Sequence, residues 1–352
     1  MLHSKNNIAI PPGETIREQL EDRGVNQKEF ALRMDMTEKH ISQLINGKVE
    51  LTYDVALRLE SVLGIPAEFW NRLEAKYQED LARVMAELAM EQDEAIARKM
   101  PYSKIAHLGW VPVTNKLQEK VANLRAFFEV ANLGRLGSLR IPGIAYRRAG
   151  INDASDYTLA CWTQKARLEA RKISVKPVNI GRLKRSIPDI RMLTVQTPEA
   201  FCPRLNEIMS GCGVAIVFLP HINGSFLHAA SFTDGKRIVI GLTVRGRYAD
   251  KFWFSLFHEL HHVIEGHIFD YESSRESEER ERAANDFAGN VLISMNDFQN
   301  FISKNNMGKS SIISFAKKIG IDPGIVLGRL QKDNYVHFSR YNELKQQYVI
   351  VD

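Results

Sequence analysis

The sequence predicts a multidomain α+β protein. Its N-terminal domain reads as all-α with a helix-turn-helix layout, its middle as helical, and its C-terminal domain as α+β around a metal-binding helix. Three observations carry this reading. Residues 12 to 75 hold four short helix patterns with start and stop residues between them. Residues 213 to 244 hold three stretches of strand composition with turn residues between them. Shortly after these, His258-Glu259-Leu260-His261-His262 reads H-E-x-x-H. The domains expected are 8–75, 76–210 and 211–352.

The chain has 352 residues, enough for two or three domains with an ample core. Its 44% hydrophobic and 25% charged residues are those of an ordinary soluble protein. No segment approaches the uninterrupted apolar length of a membrane span, so no membrane partner is expected. The N-terminus lacks an apolar signal region. Cys161, Cys202 and Cys212 form no CxxC pair, and they read as reduced thiols of a cytoplasmic protein. A net charge of +5 permits nucleic-acid contact without requiring it.

In the N-terminal segment, Pro12-Gly13 precedes a helix over about 14 to 23, which Gly24 stops. Asn26-Gln27-Lys28-Glu29 reads as a capping box opening a second helix, with Phe30, Ala31 and Met34 facing in. After a short turn at Asp35-Met36, Thr37 caps a third helix, Glu38–Ile45, which ends at Asn46-Gly47. Thr52 caps a fourth, carrying Val55, Leu59, Val62 and Leu63, which stops at Gly64. In this layout the third helix enters the major groove of DNA. Its polar positions Thr37, Glu38, Lys39, His40, Ser42 and Gln43 fall where base contacts are made, and Ile41 and Leu44 anchor it. Gln27, at the start of the second helix, is placed to meet phosphate. Asn46 and Lys48 reach for the backbone beyond.

Residues 66 to 100 read as one long charged helix with apolar spacing through Phe69, Leu73, Tyr77, Leu81, Val84, Met85 and Leu88, a connector or dimer arm. Residues 103 to 210 read as mainly helical, and Arg147-Arg148 and the basic run 167 to 185 as a solvated face. Strands are expected at 213 to 219, 226 to 232 and 237 to 244. The last leads toward the H-E-x-x-H helix, which makes it the candidate to hold a peptide by backbone pairing.

On a helix, His258 and His262 are four residues apart and face the same way, so one Zn²⁺ can bridge them. Phe252, Trp253, Leu256, Phe257, Leu260, Val263 and Ile264 form a broad apolar face. Lys251, Ser255, His258, Glu259 and His262 fall opposite. A catalytic zinc needs a third protein ligand. The metzincin pattern fails, because position 265 is Glu and position 268 is Ile. A second helix, from 278 to 292, places Glu281 on the same stripe as Ala284, Phe287, Ala288, Val291 and Leu292. A buried carboxylate is costly unless paired or metal-bound, so Glu281 is the expected third ligand. Asn285, one turn on, is expected to orient a ligand. Zinc would polarise a scissile carbonyl and acidify its water, with Glu259 taking the proton and returning it to the leaving amine. His228, His261, His267 and Tyr271 are candidate oxyanion donors near the motif.

Both ends resemble known families. Residues 12 to 75 resemble the Cro/C1-type, or XRE, helix-turn-helix domain in the version found in HigA-type antitoxins. The match lies in Pro12-Gly13-Glu14, Gln27-Lys28-Glu29-Phe30-Ala31, Ile41-Ser42-Gln43-Leu44-Ile45-Asn46-Gly47, Ala56-Leu57-Arg58-Leu59 and Glu68-Phe69-Trp70. Residues from about 211 to 331 resemble the ImmA/IrrE metallopeptidases, a gluzincin-like pattern. There the match lies in residues 213 to 218, Phe252-Trp253-Phe254 leading into His258-Glu259-Leu260, Glu281 with Ala284-Asn285, Phe287-Ala288, Phe315-Ala316 and residues 321 to 331. This resemblance implies a DNA-binding regulator joined to a zinc endopeptidase that cleaves a repressor or antitoxin. It places the third ligand at Glu281. It differs here in having Gly where His261 stands, and often His at the position of Gly266. The partners implied are a double-stranded DNA operator, a protein substrate and a second copy of the chain. The alternative is a HigA-like antitoxin that represses its own operon and binds a cognate toxin, with the peptidase fold kept as scaffold or zinc sensor.

Overall fold

The computed structural model describes residues 2–138, 154–223, 229–243, 248–269 and 274–349. These are mostly helical with two small sheets, and the chain divides into two compact units, Met1–Ile96 and Ala97–Asp352. Arg147, Arg148, His228 and Tyr271 lie outside the described residues. Among the described residues no helix is long and apolar enough to cross a membrane.

The first unit opens with a short antiparallel pair, β1 (Leu2–His3) and β2 (Ile8–Ala9). Then come α1 (Pro12–Asp22), α2 (Gln27–Arg33), α3 (Glu38–Ile45), α4 (Tyr53–Leu63) and the long α5 (Ala67–Lys99), whose last three residues fall in the second unit. The caps fall where the sequence puts them. The Glu29, His40 and Val55 amides donate to the side chains of Asn26, Thr37 and Thr52. Only half of the capping box forms, since the Glu29 carboxylate turns instead to Arg33 at 2.5 Å. Gly64 closes α4 with φ +70°. The core joins Ile16, Phe30, Ile41, Ile45, Leu59 and Trp70. On α5, Trp70 and Val84 are fully buried, whereas Phe69 and Met85 are exposed, so the buried stripe is rotated from the expected one.

Gly13 explains why Pro12-Gly13 begins α1. A Cβ there would sit 2.1 Å from the carbonyl oxygen of Ile45. The first turn of α1 therefore lies directly on the end of α3.

The second unit contains α6 (Tyr102–His107), α7 (Leu117–Phe128), α8 (Ala154–Ala170), α9 (Ile180–Met192) and α10 (Pro198–Gly211). A three-stranded sheet follows: β3 (Val214–Phe218), β4 (Ala229–Asp234) and β5 (Arg237–Leu242), in the order β3-β5-β4. Next come α11 (Ala249–Ile264), α12 (Ser274–Leu292), α13 (Met295–Ile302), α14 (Lys309–Ile319) and α15 (Pro323–Lys332). β5 runs parallel to β3 and antiparallel to β4, with Gly235-Lys236 turning the hairpin. The strand period separates the faces. Val214, Ile216, Ile238 and Ile240 share a core with Phe201 of α10 and Trp253 and Leu256 of α11. On the other face, a Cβ at Gly241 would lie 2.6 Å from the Trp162 ring of α8.

A C-terminal strap fixes the start of α11. The Ala249 amide donates to the Gln346 carbonyl, Trp253 Nε1 donates to the Tyr348 hydroxyl at 3.1 Å, and Lys345 pairs with Asp250 at 2.8 Å. Arg191 of α9 caps two other helices. Its guanidinium donates to the carbonyls of Val291 and Leu292 at the end of α12 and of Ile319 at the end of α14.

Two predictions follow from this packing. Gly13→Ala should destabilise the first unit by about 2 kcal/mol or more, read as a fall in urea midpoint at constant slope. Asp322, the N-cap of α15, is only 3% exposed. Burial, helped by the charge of Asp250, pushes its carboxyl up to about 6 from an ordinary 3.8, against the amide bonds from Gly324 and Ile325. The folded chain therefore keeps a proton that the unfolded chain releases between those values. This group's contribution is full below about pH 3.8 and lost as pH rises through about 6. Asp322→Asn keeps the cap and cannot ionise. It should raise the melting temperature at pH 7.5, with the gain closing near pH 4.

Candidate metal centre and nucleic-acid interface

The H-E-x-x-H run lies wholly within α11. All seven apolar residues assigned to its inner face are buried. That leaves the polar stripe facing α12, where Ala284 and Ala288 are fully buried and Phe287 and Val291 partly so. His258 Nε2 and His262 Nε2 stand 3.1 Å apart. Glu281 of α12 offers Oε2 to His258 at 3.3 Å and Oε1 to His262 at 3.4 Å. Four-coordinate zinc with bonds of about 2.05 Å needs ligand atoms roughly 3.3 Å apart, so these three donors fit a divalent zinc. Each histidine is also held at its other nitrogen. His258 Nδ1 meets Asn285 Oδ1 at 3.1 Å, as expected, and His262 Nδ1 meets His267 Nδ1 at 3.1 Å.

The charges suit a cation. Burial alone would raise the Glu281 carboxyl, but the hydrogen bonds and positive charge of His258 and His262 hold it far below the usual carboxylate range. Burial would lower His258, but its bond to Glu281 and the charges of Glu259 and Glu281 carry it upward. Glu259 sits beside the donors without joining them, and its Oε2 accepts from Ser231 Oγ on β4 at 2.6 Å.

Of the other candidates, His267 faces His262. His261 packs its ring 5.1 Å from Phe287. The strand expected to hold a peptide, 237–244, is corrected by the sheet order. β5 is central, with β3 on one edge and β4 on the other, so its backbone is already paired. Among the described residues β4 is the edge strand beside α11.

In the first unit, α2 and α3 meet through a tight turn. Asp35 there takes φ +52°, and the Met36 amide donates to the Ala31 carbonyl. Phe30, Ala31, Met34, Ile41 and Leu44 are buried as expected. Gln27, Thr37, Glu38, Lys39, Asn46 and Lys48 are exposed, and His40, Ser42 and Gln43 partly so. Gln27 therefore opens α2 on the surface, and the others lie on the outer side of α3 and just beyond its ends. Two of them also serve the fold, since Thr37 caps α3 and the Asn46 side-chain amide donates to the Ser42 carbonyl at 2.7 Å.

A helix-turn-helix family profile matches residues 16–70. Over 63 residues, 18% of this chain and 67% of the relative, the chain is 35% identical to the uncharacterized HTH-type transcriptional regulator YddM of Escherichia coli (strain K12). Over 74 residues, 21% of this chain and 63% of the relative, it is 36% identical to virulence-associated protein A' of Dichelobacter nodosus. The chain belongs to the helix-turn-helix family of DNA-binding transcriptional regulators. The family match ends at residue 70, and the cluster of His258, His262 and Glu281 lies beyond it.

Two residues of this helix-turn-helix chain escaped the sequence reading. Arg58 of α4 donates to the carbonyls of Met34 and Asp35 and pins the turn between α2 and α3. Its signal was a lone cation on a helix whose inner face is apolar. Ser231 had no signal, because nothing in a strand pattern says which distant helix it faces.

Lys39→Ala with Gln43→Ala should weaken specific operator binding at least tenfold, at about 1–3 kcal/mol per lost base contact, and leave the melting temperature unchanged. A gel-shift titration with the DNA upstream of the chain's own gene measures this, and unchanged affinity would remove α3 as the reading helix.

Proposed function

We propose that this chain is a transcriptional regulator whose second unit is a zinc-dependent endopeptidase acting on a partner regulatory protein. The observation that carries this is the convergence of His258 Nε2, His262 Nε2 and the Glu281 carboxylate, with Glu259 beside them and outside the donor set. His258, His262 and Glu281 would hold the ion. When bound, zinc supplies Lewis acidity at a carbonyl and acidifies a water.

The remaining work falls to the chain's own residues. Ser231 occupies Oε2 of Glu259, which leaves Oε1 to take a proton and return it to the departing amine. Asn285 keeps His258 aimed at the centre. The edge position of β4 gives an extended peptide a backbone to lie along, next to the carboxylate that Ser231 holds. A helix-turn-helix unit in the same chain supports a partner regulatory protein as the substrate over general digestion.

The test uses the purified full-length chain. It should bind one zinc per chain, and His258→Ala should lose it. Glu259→Gln should keep the zinc and lose cleavage of proteins encoded beside its gene by about 10²–10⁴-fold. A native chain that binds its operator but no zinc sinks the endopeptidase reading. Zinc binding without cleavage leaves the antitoxin-like regulator with a zinc-binding scaffold.

A further inference from the structure

His262 reaches the shared donor point through Nε2, and its Nδ1 lies 3.1 Å from Nδ1 of His267. Two ring nitrogens at that distance need one proton between them. A histidine that gives Nε2 to a metal carries its proton on Nδ1. His267 Nδ1 must then accept, which sends the His267 proton to its own Nε2. We infer that His267 is a positioning residue of the centre: it accepts the Nδ1–H of His262 and so fixes the tautomer and ring plane that present Nε2 to zinc. This rests on the zinc reading proposed above. Such partners are usually carboxylates, backbone carbonyls or water. A neutral imidazole adds no charge to the donor set.

The backbone is built to deliver this ring. α11 ends at Ile264, and Gly266 then takes φ +78°, where an L side chain is strained. The Gly266 amide donates to the Val263 carbonyl, and the Phe269 amide donates back to Gly266. The chain reverses into a 3-10 turn, His267–Phe269, and Ile268, 1% exposed, ties that turn into the core. His267 thus comes back onto His262, with ring centroids 5.3 Å apart, and flanks His261 at 5.6 Å. The two histidines are supported from different elements, His258 by Asn285 from α12 and His262 by His267 from the turn.

The test is zinc affinity of the full-length chain, measured by competition with a chromogenic chelator, together with the melting temperature of the metal-free protein. His267→Ala and His267→Phe should each weaken zinc about 10–100-fold. His267→Asn, whose side-chain carbonyl can accept the same proton, should recover most of the loss. The metal-free melting temperature of His267→Phe should stay close to native. Native affinity in His267→Ala overturns the inference. So does failure of His267→Asn to restore what His267→Phe loses, because a purely structural role predicts no such rescue. A native chain that binds no zinc at all strikes the metal-centre reading instead.

Discussion

A carboxylate shared by two imidazoles, His262 buried and His258 partly so, is the constraint on which the second unit turns. Ionised groups leave water at a cost of several kcal/mol each unless paired. Glu281, His258 and His262 come from two helices, so α11 and α12 must lie in one register to satisfy all three. That register needs both helices held at their ends. The C-terminal strap holds the start of α11 through Lys345, Gln346 and Tyr348, and Arg191 holds the end of α12 through its last carbonyls. The sheet under α11 adds Ser231, which fixes the remaining carboxylate of the run.

The first unit solves a smaller problem in the same way. A reading helix must be rigid while its polar side stays open. Ile41, Leu44 and Ile45 bury the inner side of α3, Gly13 lets α1 lie on its end, and Arg58 holds its entry turn. The outer side is then free of fold duties except at Thr37 and Asn46, which mark its two ends.

Much of this was legible in the sequence, because helix signals are local. Asn26, Thr37, Thr52 and Gly64 each mark a boundary through a bond made within four residues, and α3 lies where its cap and stop place it. The convergence of His258, His262 and Glu281 was legible for a related reason: a spacing of four fixes His258 against His262, and the period of α12 selects Glu281. Strand order was not legible. The stretch 237 to 244 was the expected peptide-holding strand because it leads toward α11, yet β5 lies in the middle, and that depends on which strands pair across long separations. Ser231 and His267 were missed as supports because each depends on a contact that helix or strand period does not encode. One is a strand crossing a helix, the other a reversal made by a single glycine.

The choice of Glu281 within an acidic run, and the fit of His261, have one cause in α12. Glu278, Glu279 and Arg282 are exposed, so their charges stay solvated. Glu281 is drawn inward because Ala284 and Ala288 lie on its side of the helix and are fully buried. Alanines carry little bulk, so α12 can approach α11 closely enough for a side chain as short as Glu to reach both imidazoles. Close approach also needs the stretch between to be filled. Phe287, one turn from Ala284, supplies a ring against which His261 packs at 5.1 Å. The larger residue at the position where the resembled family carries glycine is therefore absorbed between the helices. Burial, and then the neighbouring His262, lower its pKa. The departure changes the packing beside the centre and leaves His258, His262 and Glu281 converging on one point.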